Sequence, residues 1–197
     1  MNRAAQRAIS LARHGEPALS RKVRLSARGY RDWWEQYEEG GIRKDQTPPA
    51  ALLDRAARAG ALLSSTRLRA RETAAAVSGG RTVVSDTLFI EAPLPPPPLP
   101  DAIKLSPRLW GVVARTAWWF GYSEGGETRA QAKVRAAQAA ERLIAETESH
   151  AEVLLLAHGY FNHMIGVALK ARGWRMAENQ GYRYWAVRSF VAPLSSQ

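Results

Sequence analysis

Arg13-His14-Gly15-Glu16 closes an apolar run, Ala8 to Ala12, and His158-Gly159 closes a second one, Val153 to Ala157. An imidazole beside a guanidinium is suited to receiving a phosphoryl group. The arginine fork binds and neutralises phosphate oxygens while a ring nitrogen attacks phosphorus. Gly15 permits the sharp exit that a buried strand needs before a loop. A strand-end histidine beside a surface arginine is the plainer reading of the tripeptide. Three further groups bear on the choice: Arg67, Arg69 and Arg71 behind Ser64-Ser65, the carboxyl of Glu91 behind Leu88-Phe89-Ile90, and the second histidine.

The elements that must position these groups follow from the punctuation of the chain. Residues 7–13 read as a strand, and a polar loop runs from Pro17 to Arg24. Ser26 is placed to cap a helix that carries Trp33, Trp34 and Tyr37 and stops at Gly40-Gly41. Pro48-Pro49 opens a helix over Ala50 to Ala59. A strand at Ala61 to Ser65 leads into a helix from Arg67 to Val77, closed by Gly79-Gly80. Thr82 to Val84 predicts a strand that delivers Glu91. Pro93 to Pro100, Leu109-Trp110 and Ala117 to Phe120 are expected to form an ordered insertion, about residues 92–125, capping the site. A helix after Gly125 to Thr128 runs to Thr147 with Ala130, Val134, Ala137 and Ile144 near one face. Val153 to Ala157 is a strand, Phe161 to Ala171 a helix, and Tyr182 to Phe190 a last, edge-like strand.

This alternation predicts one α/β domain over residues 1–197, a three-layer α/β/α arrangement around a mostly parallel sheet. Ligands of such sheets bind beyond the carboxyl ends of the strands. Both histidines, the arginines and Glu91 are expected on that rim.

The bulk numbers narrow the chemistry. The 197 residues suffice to bury a core, and 46% hydrophobic against 23% charged residues is a globular composition. Lys and Arg number 28 against 18 Asp and Glu, a net charge of +10 that favours anionic partners. The absence of cysteine excludes disulfides, thiolate metal sites and cysteine nucleophiles. Met1 to Gln6 is basic, but no apolar segment with a cleavage site follows, and no run approaches about 18 apolar residues. A cytoplasmic protein that binds no membrane is expected.

Arg13-His14-Gly15-Glu16, the stretch Ser65-Thr66-Arg67-Leu68-Arg69-Ala70-Arg71-Glu72-Thr73-Ala74, and Val153 to Gly159 together resemble the histidine phosphatase superfamily, with its phosphoglycerate mutase-like fold. The middle stretch is similar to a Ser-x-x-x-Arg-Ala-x-x-Thr-Ala pattern, which selects Arg69 over Arg67 and Arg71. Leu25-Ser26-Ala27-Arg28-Gly29 and Gly126-Glu127-Thr128 resemble two further segments of that family. The resemblance implies that His14 is phosphorylated and then hydrolysed, with Arg13 and Arg69 clamping the phosphate and His158 adding a donor. It implies that Glu91 protonates the leaving oxygen and later activates water. Gly15 and Gly159 flank the phosphate site. No metal or other cofactor is needed, because arginines and histidines supply the positive charge.

One departure stands out. Relatives place an asparagine shortly after the histidine-glycine element, where this chain has Pro17-Ala18-Leu19-Ser20-Arg21. Ser20, Arg24 or backbone amides are the candidate replacements. Arg67 and Arg71 read as solvated, His150 as exposed, and His163 as a helix residue with a structural hydrogen bond. The tryptophans read as core or lid packing, with Trp118, Trp119 and Phe120 as an apolar wall.

The leading expectation is a phosphatase acting on a phosphorylated small molecule or a phosphoprotein. A mutase-type phosphotransferase and a non-catalytic phosphate-binding module are the alternatives. Nucleic acid is not expected as a partner, because only charge suggests it.

Overall fold

Val153 to Leu156 lacks any polar alternation, and a strand of that kind needs cover on both faces. The computed structural model, which describes residues 6–193, places it in the interior of the sheet. Of the basic start, Met1 to Gln6, only Gln6 lies among the described residues. The strand β4 (Glu152–Ala157) is flanked in parallel by β1 (Ala8–Arg13) and β2 (Ala61–Ser65). β3 (Val84–Asp86) pairs in parallel with β2. On the other side β6 (Val187–Val191) runs antiparallel to β1, and β5 (Arg175–Asn179) antiparallel to β6. The order is β3-β2-β4-β1-β6-β5.

Helices cover both faces, giving the expected three-layer α/β fold. On one face α5 (Arg129–Ser149) and α6 (Gly159–Ala171) bury Leu143, Phe161 and Ile165 against Ile9, Leu11 and Leu155. On the other, α2 (Ala50–Arg58) and α3 (Leu68–Ser78) bury Leu52, Ala56 and Ala74 against Ala12, Leu154 and Leu156. A separate aromatic cluster joins α1 (Ala27–Glu39) to α4 (Pro107–Trp119), with Tyr30 stacked on Trp110 at 5.7 Å.

Local chemistry sets the helix ends. Ser26 and Ser106 accept hydrogen bonds from Gly29 and Leu109 N–H, and Pro107 occupies the first turn behind Ser106. Thr128 and Gln131 form a reciprocal capping box at the start of α5. Gly79 ends α3 at φ +59°, a left-handed conformation that favours glycine.

Three expectations are corrected. The buried stripe of α5 is Ala132, Ala136, Ala139, Ala140 and Leu143, whereas Val134 is 59% exposed. In a helix so rich in alanine the apolar phase is poorly marked. The last strand, expected over Tyr182 to Phe190, is confined to β6 and is interior; β5, which precedes that segment, is the edge, and its largely exposed residues give no alternating signal. Glu91 does not leave β3 directly. Asp86 accepts from Leu88 N–H at 2.8 Å and starts a 3-10 turn, Thr87–Phe89, that ends just before Ile90 and Glu91.

Candidate active site

The register of β1 on β4 pairs Arg13 with Ala157, so His14 and His158 emerge side by side from the carboxyl ends of adjacent strands. Their rings lie 5.3 Å apart, edge to face, and both are buried. The His14 backbone N–H donates to Ala157 O at 2.9 Å, which ties the two exits together.

The His14 ring is held in one tautomer. Its Nδ1 lies 2.7 Å from Gly15 O, an acceptor only, so the proton sits on Nδ1 and Nε2 carries the lone pair. Burial, reinforced by the guanidinium groups of Arg69 and Arg13, holds the ring well below the usual histidine range. A neutral imidazole with a free Nε2 is a nucleophile. His158 is likewise pushed well down by burial, then by Arg69 and His14. Its Nε2 is 2.9 Å from Ser65 Oγ, and its buried Nδ1 has no hydrogen-bond partner among the described residues.

Arg69, on the first turn of α3, is fully buried. It donates from Nη1 to Tyr37 O at 2.8 Å and from Nη2 to Glu38 Oε1 at 2.6 Å, with its guanidinium 4.6 Å from the Tyr37 ring centroid. Arg13 donates to Tyr182 O and lies 4.3 Å over the Tyr184 ring. The Nε atoms of both arginines are buried and unpartnered among the described residues. Buried donors without acceptors are costly, and an anion between them removes that cost.

Glu91 sits at the amino end of α6. Its oxygens accept from Phe161 N–H at 2.8 Å, Ala92 N–H at 3.0 Å and Tyr160 N–H at 3.3 Å. Arg115 of α4 donates to the next two carbonyls, Ala92 O and Pro93 O, and fixes the segment that carries the acid.

Arg13, His14, Arg69, Glu91 and Gly159 all line one cavity of about 400 Å3. Segment 92–125 supplies part of its wall through Leu94, Arg108, Val112 and Arg115. Gly159 approaches closely, since an added Cβ would lie 3.2 Å from Arg13 Nε. Gly15 acts through its backbone: its N–H donates to Thr73 Oγ1 at 3.0 Å, and a Cβ there would meet Trp185 at 2.5 Å.

Ser20 is not brought into the cavity. It is exposed and accepts from Lys22 N–H. Arg24 is also exposed and donates to Lys104 O. Arg21 turns inward instead, donating to Tyr37 Oη at 3.0 Å and adding its charge to the field at His14. Sequence reasoning missed Arg21, because the loop has no periodicity to say which side chain faces inward. It also missed Glu38, whose anchor on Arg69 spans two elements.

Other candidates fall elsewhere. Arg67 pairs with Glu38 at 2.8 Å, Arg71 is exposed, and His163 bonds Tyr182 Oη. His150 is half-buried at the end of α5 rather than exposed. Trp118 is buried behind Tyr160, Trp119 donates to Tyr160 Oη, and Phe120 is 89% exposed. Trp34, Leu94 and Val112 provide the apolar wall expected of those three.

Five arginines and one carboxylate make up the charged lining, a field that draws anions and repels bare cations. Among the described residues no three histidine or acidic side chains cluster to hold a metal. Nor is any helix there long and apolar enough to cross a membrane.

A family model described as histidine phosphatase superfamily (branch 1) matches residues 9–191. The fold is similar to that of a mycobacterial glucosyl-3-phosphoglycerate phosphatase, at 21% identity over 85% of this chain and 79% of that one, with a TM-score of 0.54. It is also similar to phosphoserine phosphatase from Entamoeba histolytica in complex with 3-phosphoglyceric acid, at 15% identity over 92% and 89% of the two chains, TM-score 0.56. At these identities the likeness is one of fold. No curated protein matches the chain.

Proposed function

Because the chain belongs to the histidine phosphatase superfamily, we propose that it is a phosphatase that hydrolyses a phosphate monoester through a phosphohistidine on His14. The observation that carries this reading is the His14 ring, held below the usual histidine range with Nδ1 committed to Gly15 O, beside unpartnered buried nitrogens of Arg13, Arg69 and His158. In the first step Nε2 bonds to phosphorus, the bond from phosphorus to the ester oxygen breaks, and Glu91 gives that oxygen its proton. In the second, water attacks phosphorus, Glu91 takes a proton back, and the nitrogen–phosphorus bond breaks to release phosphate. Arg13, Arg69 and Arg21 hold the nonbridging oxygens, and His158 stabilises the charge as it spreads over them.

The arginine-rich lining supplies the positive charge that other phosphoryl-transfer sites draw from a metal, so the reaction is metal-independent. Segment 92–125 serves as a cap on a single domain. Gly15 acts by fixing the nucleophile, and Gly159 by letting Arg13 approach. The substrates belong to phosphorylated small molecules or phosphoproteins, in a cytoplasmic setting, and nucleic acid and membrane are not partners.

Rapid quench of the protein with a 32P-labelled monoester tests the reading. Acid-labile, base-stable label on the wild type and none on His14→Ala is the expected result. Label that persists in the variant, or phosphate release that stops on chelation, would overturn it.

A further inference from the structure

The cavity at His14 adjoins a second, larger one, and Glu91 and Trp34 line both. The second has a volume of about 1080 Å3 and runs between α1, the turn before Glu91, and the first half of α5. Its character differs. Its wall carries four carboxylates, Glu38, Asp86, Glu91 and Glu127, against two guanidiniums; Arg67 pairs with Glu38 at 2.8 Å, and Arg135 holds Glu127 through bonds of 2.7 and 2.8 Å. Asp86 accepts from Leu88 N–H. Between these lie the apolar surfaces of Trp34, Leu88 and Val134 and the amide of Gln138.

We propose that this groove receives the leaving-group half of the substrate, an alcohol that carries no anionic group and is too large for the cavity at His14. The inference rests on the phosphatase reading above. In an in-line displacement the leaving oxygen departs opposite the nucleophile, and its proton donor, Glu91, stands where the two cavities join. The alcohol carbon then lies between Glu91 and Trp34, with the groove ahead of it. Ligand pockets commonly span roughly 300–1,000 Å3, so the groove alone has room for a group well beyond one ring. Charge selects the occupant. A second anion in the groove meets four carboxylates against two ion-paired arginines, of which only Arg67 keeps an unpartnered Nε, and it keeps its desolvation cost. An acid-bearing leaving group is drawn instead to Arg108 of α4, an exposed residue in the wall of the cavity at His14.

Three aryl monoesters test this on the full chain: phenyl phosphate, 4-benzamidophenyl phosphate, and the same long ester bearing a terminal carboxylate. The groove-narrowing variants Val134→Trp and Gln138→Trp alter solvent-facing positions of α5. The long uncharged ester is expected to exceed phenyl phosphate in kcat/KM by about tenfold, a factor that a well-filled pocket can supply. Either variant abolishes that gain and leaves phenyl phosphate near its wild-type rate, and the carboxylated ester does not share the gain. Equal rates for the long and short esters overturn the proposal. So does an equal loss on both esters in the variants, or a preference for the carboxylated ester that Arg108→Gln removes. Failure to hydrolyse all three esters overturns the phosphatase reading itself.

Discussion

Glu38 binds Arg69 and Arg67 at once, with Oε1 2.6 Å from Arg69 Nη2 and Oε2 2.8 Å from Arg67 Nη2. Arg69 has no exposure to solvent, so this carboxylate is the counter-charge of a buried cation. Glu38→Gln keeps the shape and removes the charge. Urea denaturation is expected to show a loss of about 2 kcal/mol, below the cost of breaking a fully buried pair because Glu38 is itself partly solvated. Phosphatase kcat/KM falls with it. An unchanged midpoint would mean that the carbonyls of Tyr37 and Glu38 hold Arg69 without the carboxylate.

The two site histidines make stability depend on pH. Both rings are held well below their ordinary value in the folded chain, so between the folded and unfolded values the unfolded state binds more protons. Their contribution is therefore full above the unfolded value and is lost as pH falls below it. Stability therefore falls as pH drops through the unfolded histidine value, a loss readable in denaturation curves and reduced in His158→Asn. The acid limb of kcat/KM lies well below pH 6.5, since His14 remains unprotonated there. An acid limb centred at an ordinary histidine value would contradict this.

Ser65 Oγ is the hydrogen-bond partner of His158 Nε2 at 2.9 Å. Ser65→Ala frees the ring to turn while leaving its burial intact. A drop in kcat of about tenfold with little change in KM is expected, the size of one aimed hydrogen bond. Steady-state kinetics decide it, and Ser65→Thr should restore most of the rate.

Arg21, and not its neighbour Ser20, lines the cavity at His14. Arg21→Ala is expected to weaken competitive inhibition by inorganic phosphate by tenfold or more, about 1.5 kcal/mol for one charge-assisted hydrogen bond. Ser20→Ala leaves it unchanged. Equal inhibition constants for wild type and Arg21→Ala would remove this arginine from the site.

The layers of the fold and the two histidine exits were legible because apolar runs ending in short polar motifs carry their own boundaries. Val153 to Gly159 is the clearest case, and the parallel register of β1 on β4 then brings its histidine beside His14. What escaped depended on distant partners. β5 is polar and exposed, so only its pairing with β6 marks it as a strand. Trp118 to Phe120 have the composition of a wall, but their outward or inward facing depends on how α4 sits against Tyr160. The inward turn of Arg21 likewise follows from Tyr37 on α1.

The strand that leads to His14, β1, has as its two neighbours β4 and β6, which lie far along the chain from it. Such long-range pairing is slow to form, and on the ribosome β1 must wait with both edges bare. The pocket around His14 therefore takes shape only once β4 and β6 have been made and paired with β1.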